Sequence, residues 1–137
     1  MALTKGTDTR PAATAAALAA AGSRVVALDL AAACEAGPTV EGVHYQPTDV
    51  TSEEEVRAAV ATASDDPARP LRIVVNCAGI GPSTRILGRQ GVHDLALFRK
   101  VVEINLIGSF DCIRIAATAM SQNEADEFGE RGAIVNT

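Results

Sequence analysis

Residues 71–76 read LRIVVN, and this stretch gives the clearest strand signal in the chain. It is apolar and rich in β-branched residues, which favour strands, and the small residues Cys77, Ala78 and Gly79 follow it. A strand that is apolar on both faces is typical of a parallel sheet covered by helices, because an exposed face would carry polar residues at alternate positions. LRIVVN therefore predicts a fully buried strand.

Further strands and helices alternate around this one. The other strand candidates are residues 24–30 (RVVALDL), 43–46 and 133–136. The helix candidates are residues 12–21, preceded by Pro11 and ended by Gly22, a helix that Ser52 opens and that stops within residues 65–70, and residues 94–120. Ser52 with Glu55 three residues later is a capping box. The alternation predicts the α/β class, with a parallel sheet covered on both faces.

The composition excludes several classes of protein. A chain of 137 residues suffices for one domain, since domains average roughly 150 residues. The 12 basic and 17 acidic residues leave a net charge of −5, which argues against a nucleic-acid or membrane-surface partner. No apolar stretch approaches the roughly 18 residues of a membrane span. We expect a single domain with neither kind of partner.

The cysteines and histidines give two further expectations. Cys34, Cys77 and Cys112 are widely spaced and odd in number, which fits a reducing compartment better than a disulfide framework. His44 and His93 are far apart, so we expect no metal site. Together these features predict a cytoplasmic protein.

Residues that follow the predicted strands are candidates for ligand binding, because open parallel sheets bind ligands at the carboxyl ends of their strands. Asp29 closes one such strand, and a carboxylate there can accept hydrogen bonds from a ribose diol and repel a 2′-phosphate. Alternatively, Asp29 only caps the next short segment. Asp49 and Val50 follow residues 43–46, where turn formation is the simpler interpretation.

Residues 79–84 (GIGPST) partly match the phosphate-binding pattern G-x-G-x-x-G. Thr84 replaces the third glycine, Pro82 lacks an N–H donor, and no amphipathic helix follows directly. We therefore do not assign these residues to phosphate binding.

Asn105 is unusual in the middle of the helix predicted at residues 94–120, because its side chain competes for backbone hydrogen bonds. Gly108 adds a helix-propensity cost of about 1 kcal/mol. Two interpretations remain open: a buried asparagine that bonds to a neighbouring backbone, or a polar group that projects into a binding site.

Taken together, these motifs resemble the short-chain dehydrogenase/reductase family. The matching residues are Asp29 after an apolar strand, Asp49-Val50, Asn76-Cys77-Ala78-Gly79, and Asn105 within VVEINLIG (residues 101–108). Residues 75–80 (VNCAGI) and 120–137 (MSQNEADEFGERGAIVNT) are similar to one subgroup, the type-2 3-hydroxyacyl-CoA dehydrogenases. The resemblance implies a Rossmann-like, doubly wound parallel sheet. It also implies hydride transfer between NAD and a secondary alcohol or hydroxyacyl thioester such as a 3-hydroxyacyl-CoA.

The resemblance also implies roles for individual residues. The cofactor-binding residues would be Asp29, Leu30, Asp49, Val50, Asn76, Cys77, Ala78 and Gly79. Within that set, Asp29 would bind the adenosine ribose and select NAD over NADP, and Asp49 would contact adenine with Val50. Asn105 would be the family's relay asparagine, which holds a water that feeds protons to a catalytic lysine. The helix at residues 94–120 would join copies of the chain in a homo-oligomer.

The start of the chain departs from the family pattern, which is a complete strand followed by T-G-x-x-x-G-x-G. The strand is reduced to residues 1–3, and the three glycine positions fall on Lys5, Thr9 and Pro11. Glycine allows the tight turn and the close backbone approach to a pyrophosphate. Asp8 adds a negative charge where the phosphates would lie. We expect weak pyrophosphate binding and a sheet of marginal stability.

The family's catalytic pattern, a serine followed by Tyr-x-x-x-Lys, does not occur in these 137 residues. The one tyrosine, Tyr45, is followed four residues later by Asp49, and the only lysines are Lys5 and Lys100. A tyrosine with a pKa of about 10 needs a nearby cation to act as an acid or base at neutral pH. Thr137 ends the sequence just before the expected serine, so we expect an incomplete dehydrogenase that is inactive alone.

Three hypotheses follow for the function. The first is an NAD-dependent oxidoreductase of this family, incomplete in its first strand and its C-terminal half. The second is a non-catalytic partner that pairs through residues 94–120 with a full-length relative. The third is simple nucleotide binding, against which the altered glycine turn argues.

Overall fold

The computed structural model describes residues 2–3, 9–36, 39–89 and 91–137, with side chains described from residue 12 onward. The strands are β1 (Ala2–Leu3), β2 (Val25–Asp29), β3 (Val43–Pro47), β4 (Ile73–Asn76), β5 (Leu87–Gly88), β6 (Gly91–Val92) and β7 (Ala133–Asn136). The helices are α1 (Thr9–Ala20), α2 (Ala31–Ala36), α3 (Glu53–Ala63), α4 (Leu95–Val102) and α5 (Ser109–Met120). A π-helical segment, Glu103–Gly108, joins α4 to α5.

The main sheet has five parallel strands in the order β3-β2-β1-β4-β7. Strands β5 and β6 form a separate antiparallel hairpin. Every strand of the main sheet runs the same way, so each connection between neighbouring strands is a crossover. The predicted α/β class with a parallel, Rossmann-like sheet is confirmed.

Strand β1 is short but lies at the centre of the sheet. Ala2 pairs with Ala27 of β2 and with Val75 of β4, and Leu3 pairs with Leu28 and Asn76. Two residues therefore join strands of five and four residues. The expectation that most of the first strand is lost agrees with this length, although a two-residue centre is present.

Helices cover both faces of the sheet. Val26 and Leu28 of β2 belong to a buried cluster with α3 and α5, to which Val56 and Ile115 contribute. Side chains of a strand alternate between faces, so Val25 and Ala27 point the other way. They are buried too, as is Ala15 of α1.

The predicted helix ends are largely confirmed. Gly22 has φ +85° and closes α1 in the left-handed conformation expected of a C-terminal glycine. The Ser52 hydroxyl accepts the Glu55 N–H at 3.4 Å at the start of α3. The second half of the capping box differs, because the Glu55 carboxylate accepts the Asp49 N–H at 2.7 Å.

The helix predicted at residues 94–120 is not a continuous α-helix, because the π-helical segment interrupts it at Asn105 and Gly108. Two elements were not predicted at all. Helix α2 is a short, alanine-rich helix of 6 residues that follows β2. The β5–β6 hairpin lies inside residues that the sequence predicted as loop, and Gly91 there has φ +110°.

No helix in the described part of the chain has the length and hydropathy needed to span a lipid bilayer.

Candidate functional site

The carboxyl ends of the parallel strands meet at one edge of the sheet, which we call the carboxyl edge. Strand β2 ends there at Asp29, β3 is followed by Thr48 and Asp49, and β4 ends at Asn76. The Thr48 N–H donates to the Asp29 carbonyl at 2.7 Å, which ties the first two strand ends together. The fold therefore brings the polar residues predicted from strand ends to a common edge.

Asp29 is a buried carboxylate at the end of β2. Its Oδ1 accepts the Leu30 N–H at 2.8 Å. Its carbonyl accepts a hydrogen bond from the Cys34 thiol at 3.5 Å. Burial raises the pKa of that thiol, and the neighbouring carboxylates of Asp29 and Glu35 raise it further. Asp29 is thus held by short local contacts at the point where the sheet ends.

Asp49 forms a turn, as its simpler interpretation predicts. Its Oδ1 accepts the Thr51 N–H at 3.0 Å and the Thr51 hydroxyl at 2.8 Å. The Ser52 N–H donates to the Asp49 carbonyl at 2.9 Å. This turn leads directly into α3 and fixes where the Asp49 carboxylate lies.

Asn76 ends β4 and is only 2% exposed. Its Nδ2 donates to Asn136 Oδ1 on β7 at 2.8 Å. Its own Oδ1 is buried and has no hydrogen-bond partner among the described residues. Buried polar atoms are nearly always hydrogen-bonded, so this oxygen is an unsatisfied buried acceptor at the carboxyl edge.

The loop that follows β4 is held by Asn105. The Ile80 N–H donates to Asn105 Oδ1 at 2.8 Å, and Asn105 Nδ2 donates to the Ile80 carbonyl at 2.9 Å. Asn105 therefore bonds to a neighbouring backbone, as one of its two interpretations holds, but it is exposed rather than buried. It acts as a clamp between the π-helical segment and the loop.

Gly79 lies next to the Asn105 side chain. A Cβ atom at Gly79 would be 3.4 Å from Asn105 Oδ1, at the lower limit of ordinary van der Waals contact. Cys77 and Ala78, which precede it, are half-buried in irregular backbone. A small residue at position 79 keeps the loop close to the helix without displacing the clamp.

Gly108 is explained by a second close approach. A Cβ atom there would be 2.8 Å from Val50 Cγ2 and 3.1 Å from the Val50 carbonyl. Val50 is 8% exposed, so its side chain belongs to the core and packs on the helix backbone. The propensity cost of Gly108 is offset by this contact between the helix and the turn after β3.

A cavity of about 400 Å³ opens at the carboxyl edge beside α4. Its lining residues are Leu30, Asp49, Thr51, Arg99, Lys100, Glu103 and Ile104. Small-molecule sites commonly have volumes of roughly 300–1,000 Å³, and this cavity lies within that range. Leu30 and Asp49 were predicted as site residues.

Sequence reasoning missed the α4 side of this cavity. Arg99 and Lys100 gave no motif, because charged residues on a helix usually face solvent, and Glu103 and Ile104 were noted only as neighbours of Asn105 in VVEINLIG. A signal was nevertheless available. The helix after β4 begins near the carboxyl edge of the sheet, so its exposed face can flank residues at the ends of β2 and β3.

The structure describes some, but not all, of the other residues that the sequence analysis discussed. Lys5 and Asp8 lie outside the described residues, so the expected weakness of pyrophosphate binding stays a prediction. Thr9 and Pro11 lie in the first turn of α1. Tyr45 is a half-buried residue of β3, and Lys100 lines the cavity.

Known proteins are similar to this chain in sequence. The sequence model of the short chain dehydrogenase family matches residues 6–137. The 3-hydroxyacyl-CoA dehydrogenase type-2 of Bos taurus is 43% identical over 95 residues, which are 68% of this chain and 36% of that protein. The Drosophila melanogaster protein of the same name is 42% identical over 97 residues, covering 69% of this chain and 38% of its own.

A solved structure is similar as well. The 3-hydroxyacyl-CoA dehydrogenase type-2 from Mycobacterium avium superposes with a TM-score of 0.78 at 35% identity. The match covers 92% of this chain and 51% of that one. The chain thus spans little more than a third of the curated relatives and about half of the solved structure.

Proposed function

The chain belongs to the short chain dehydrogenase family, a family of oxidoreductases, and from this premise we propose that its carboxyl edge binds the adenosine half of NAD. One observation carries the proposal. Asp29, Asp49 and Asn76 lie at or just after the ends of β2, β3 and β4 on this edge, and Asp49 together with Leu30, the residue after Asp29, lines a cavity of about 400 Å³. A carboxylate at the end of the second strand, next to a nucleoside-sized cavity, is the arrangement that dinucleotide-binding sheets use for ribose.

Asp29 and Leu30 are the proposed ribose contacts. Two vicinal hydroxyls can both donate to one carboxylate, whereas a 2′-phosphate would be repelled by its charge. This reasoning favours NAD over NADP. Burial strengthens the discrimination, because charges interact more strongly away from bulk water.

Asp49 and Val50 are the proposed adenine contacts. Because the Val50 side chain is buried against Gly108, its contribution comes from the backbone. Asn76, Cys77, Ala78 and Gly79 continue the site across the sheet through their backbone. Gly79, which has no Cβ, would let the cofactor approach the backbone closely.

When bound, NAD accepts the hydride that leaves the carbinol carbon of an alcohol, and the hydroxyl proton is lost as the ketone forms. A secondary alcohol, such as a 3-hydroxyacyl-CoA, is the proposed substrate because relatives of that name are similar over two thirds of this chain. Asn105 is the proposed relay asparagine. Its observed bonds to Ile80 support a positioning role for its side chain.

We propose that these 137 residues alone do not turn over substrate. Tyr45 has no lysine four residues later, so no Tyr-x-x-x-Lys pair supplies an acid and base. We also propose that copies of the chain associate through α4 and α5. The second candidate function is a non-catalytic partner that uses the same helices to pair with a full-length relative, and the exposed Phe98 and Phe110 favour such pairing.

Equilibrium binding of NAD, NADP and ADP-ribose to the purified chain tests the cofactor proposal. We expect NAD to bind at least tenfold more tightly than NADP, and Asp29→Asn to remove most of that difference. Glu54→Gln, an exposed acidic position on α3, is the matched control and should change neither affinity. Equal affinities for NAD and NADP in the unaltered chain would contradict the role of Asp29.

A spectrophotometric assay tests the proposal that the chain alone does not turn over substrate. We expect no NAD reduction when the chain is mixed with 3-hydroxyacyl-CoA substrates. Turnover by the chain alone would overturn the proposed inactivity and would show that other residues supply the acid and base. Turnover only after a full-length relative is added would favour the partner hypothesis.

A further inference from the structure

The β5–β6 hairpin brings a threonine hydroxyl against a histidine ring. Leu87 pairs with Val92 in the hairpin, and the His93 N–H donates to the Ile86 carbonyl at 2.8 Å. This pairing places Thr84, which precedes β5, beside His93, which directly follows β6. Thr84 Oγ1 lies 2.6 Å from His93 Nε2, within hydrogen-bonding distance.

The second nitrogen of the His93 ring decides which atom carries the proton. His93 Nδ1 lies 2.7 Å from the Asp94 carbonyl. A carbonyl oxygen can only accept a hydrogen bond, so Nδ1 carries the hydrogen of the neutral ring and Nε2 has the lone pair. The Thr84 hydroxyl therefore donates to Nε2, and the ring is a base that the start of α4 holds in place.

This arrangement is the one that activates a hydroxyl as a nucleophile. A threonine or serine hydroxyl is weakly nucleophilic by itself and becomes reactive when an adjacent base, oriented by a third group, can take its proton. Here the base is His93 and the third group is the Asp94 carbonyl. Thr84 is exposed and His93 is half-buried, so a reactant from solution can reach the hydroxyl while the ring keeps its position.

The segment around the pair is positively charged. Residues 84–93 include Arg85 and Arg89, both exposed, and no acidic residue. The carboxylate of Asp94, which follows, accepts the Ala96 N–H at 2.8 Å and caps α4. Attack on an acyl group places negative charge on its carbonyl oxygen, and positive charge nearby stabilises it. The local charge therefore favours reaction with an acyl carbon.

We propose that Thr84 is an acyl acceptor for small activated esters, with His93 as its general base. Thr84 Oγ1 forms a bond to the acyl carbon, and the bond from that carbon to the leaving oxygen breaks. The hydroxyl proton passes to His93 Nε2 and then to the leaving group. The products are an ester on Thr84 and a free alcohol or phenol, with no change of oxidation state. This reaction is separate from the proposed function, because it needs neither NAD nor a residue of the carboxyl edge.

Peptide mass spectrometry after exposure of the chain to 4-nitrophenyl acetate tests this proposal. The rate of acetylation is measured for each hydroxyl at about pH 8, where imidazole is largely neutral. Thr118 is the internal reference, because it is also exposed but its hydroxyl donates at 2.8 Å to the Arg114 carbonyl, which is not a base. We expect Thr84 to be acetylated about 100-fold faster than Thr118, as general base catalysis typically provides.

Four variants separate the base from the hydroxyl. His93→Gln keeps a polar side chain but removes the base, so acetylation of Thr84 should slow to the rate of Thr118. Thr84→Val keeps the shape and removes the acceptor, whereas Thr84→Ser restores a hydroxyl and should again be acetylated. Thr118→Val is the matched control and should leave the rate at Thr84 unchanged. Circular dichroism of each variant reports whether it folds as the unaltered chain does.

Three results would overturn the proposal. The first is a rate at Thr84 less than about tenfold above that of Thr118 in the unaltered chain. The second is a folded His93→Gln chain acetylated at Thr84 as fast as the unaltered chain. The third is acetyl groups on the His93 ring with none on Thr84. Because the assay contains no NAD, Thr84 acetylation in a chain that does not bind NAD would support the acyl acceptor and contradict the adenosine site alone.

Discussion

Gly108 makes the closest approach between the π-helical segment and the turn after β3. An alanine Cβ there would be 2.8 Å from Val50 Cγ2, so one of the two segments must shift. Overpacking of this kind costs about 1–3 kcal/mol, and the gain in helix propensity returns about 1 kcal/mol. We expect Gly108→Ala to lower the free energy of unfolding by up to about 2 kcal/mol in urea titrations.

Gly81 provides the control for this substitution. A methyl group added there would meet no heavy atom within 4 Å, so Gly81→Ala introduces no contact. We expect its unfolding free energy to match the unaltered chain. A Gly108→Ala chain as stable as Gly81→Ala would show that the turn and the helix are not packed as described.

Asn105 gives the second prediction at the scale of one residue. Asn105→Ala removes both hydrogen bonds to Ile80 but leaves the Ile80 groups accessible to water, so the net loss is about 1 kcal/mol. We expect hydrogen exchange at the Ile80 amide to accelerate about fivefold. The Val74 amide, deep in β4, serves as the internal reference and should not change. Equal exchange rates at the Ile80 amide before and after substitution would show that Asn105 does not hold the Ile80 backbone.

At the scale of elements, Cys112 reports how α5 packs. Its side chain is fully buried, and burial raises the pKa of its thiol to about 12. The thiolate is the reactive form. We therefore expect mass spectrometry after alkylation at pH 8 to find Cys112 unmodified in the folded chain and modified in urea.

The same shift predicts a pH dependence of stability. Above about pH 9 the unfolded thiol ionises while the folded thiol keeps its proton, so stability falls as the pH rises towards 12. Cys112→Ala lacks this contribution and is the control. Rapid alkylation of Cys112 under native conditions would show that α5 is not packed in the core as described.

The elements also show what the sequence could predict. The strands predicted at residues 24–30, 71–76 and 133–136 are present at residues 25–29, 73–76 and 133–136, because apolar β-branched runs favour strands. The π-helical segment was not found, because its cause is tertiary: Asn105 reaches Ile80, and Gly108 meets Val50. Asn105 and Gly108 were recognised as anomalies, but their partners lie more than twenty residues away.

At the scale of the whole molecule, stability depends on a narrow centre. Strand β1 contributes two residues to the sheet, and several large apolar side chains on α4 and α5 remain exposed. We expect a melting temperature below about 60 °C for the chain without ligand, within or below the usual mesophilic range. A cooperative calorimetric transition above that temperature would show that the two-residue centre suffices.

The position of the candidate site residues in the fold could be predicted in part, because these residues end strands. Asp29, Asp49 and Asn76 were placed at a common edge from the rule for parallel sheets alone. The α4 wall of the cavity was not predicted, since nothing in the order of Arg99 and Lys100 shows which face they present. The α4 side of the cavity can be identified only from the structure, in which helix and sheet are packed together.

The central claim, an adenosine site at the carboxyl edge, is tested most directly by titrating NAD into the isotope-labelled chain and following its backbone amide resonances. We predict that the Leu30, Val50 and Ala78 resonances shift together, while those of Ala63 and Leu71, at the opposite edge, do not. A folded chain whose carboxyl-edge resonances stay unchanged up to about 10 mM NAD would contradict the account. Any NAD site in such a chain would have a binding free energy weaker than roughly 3 kcal/mol.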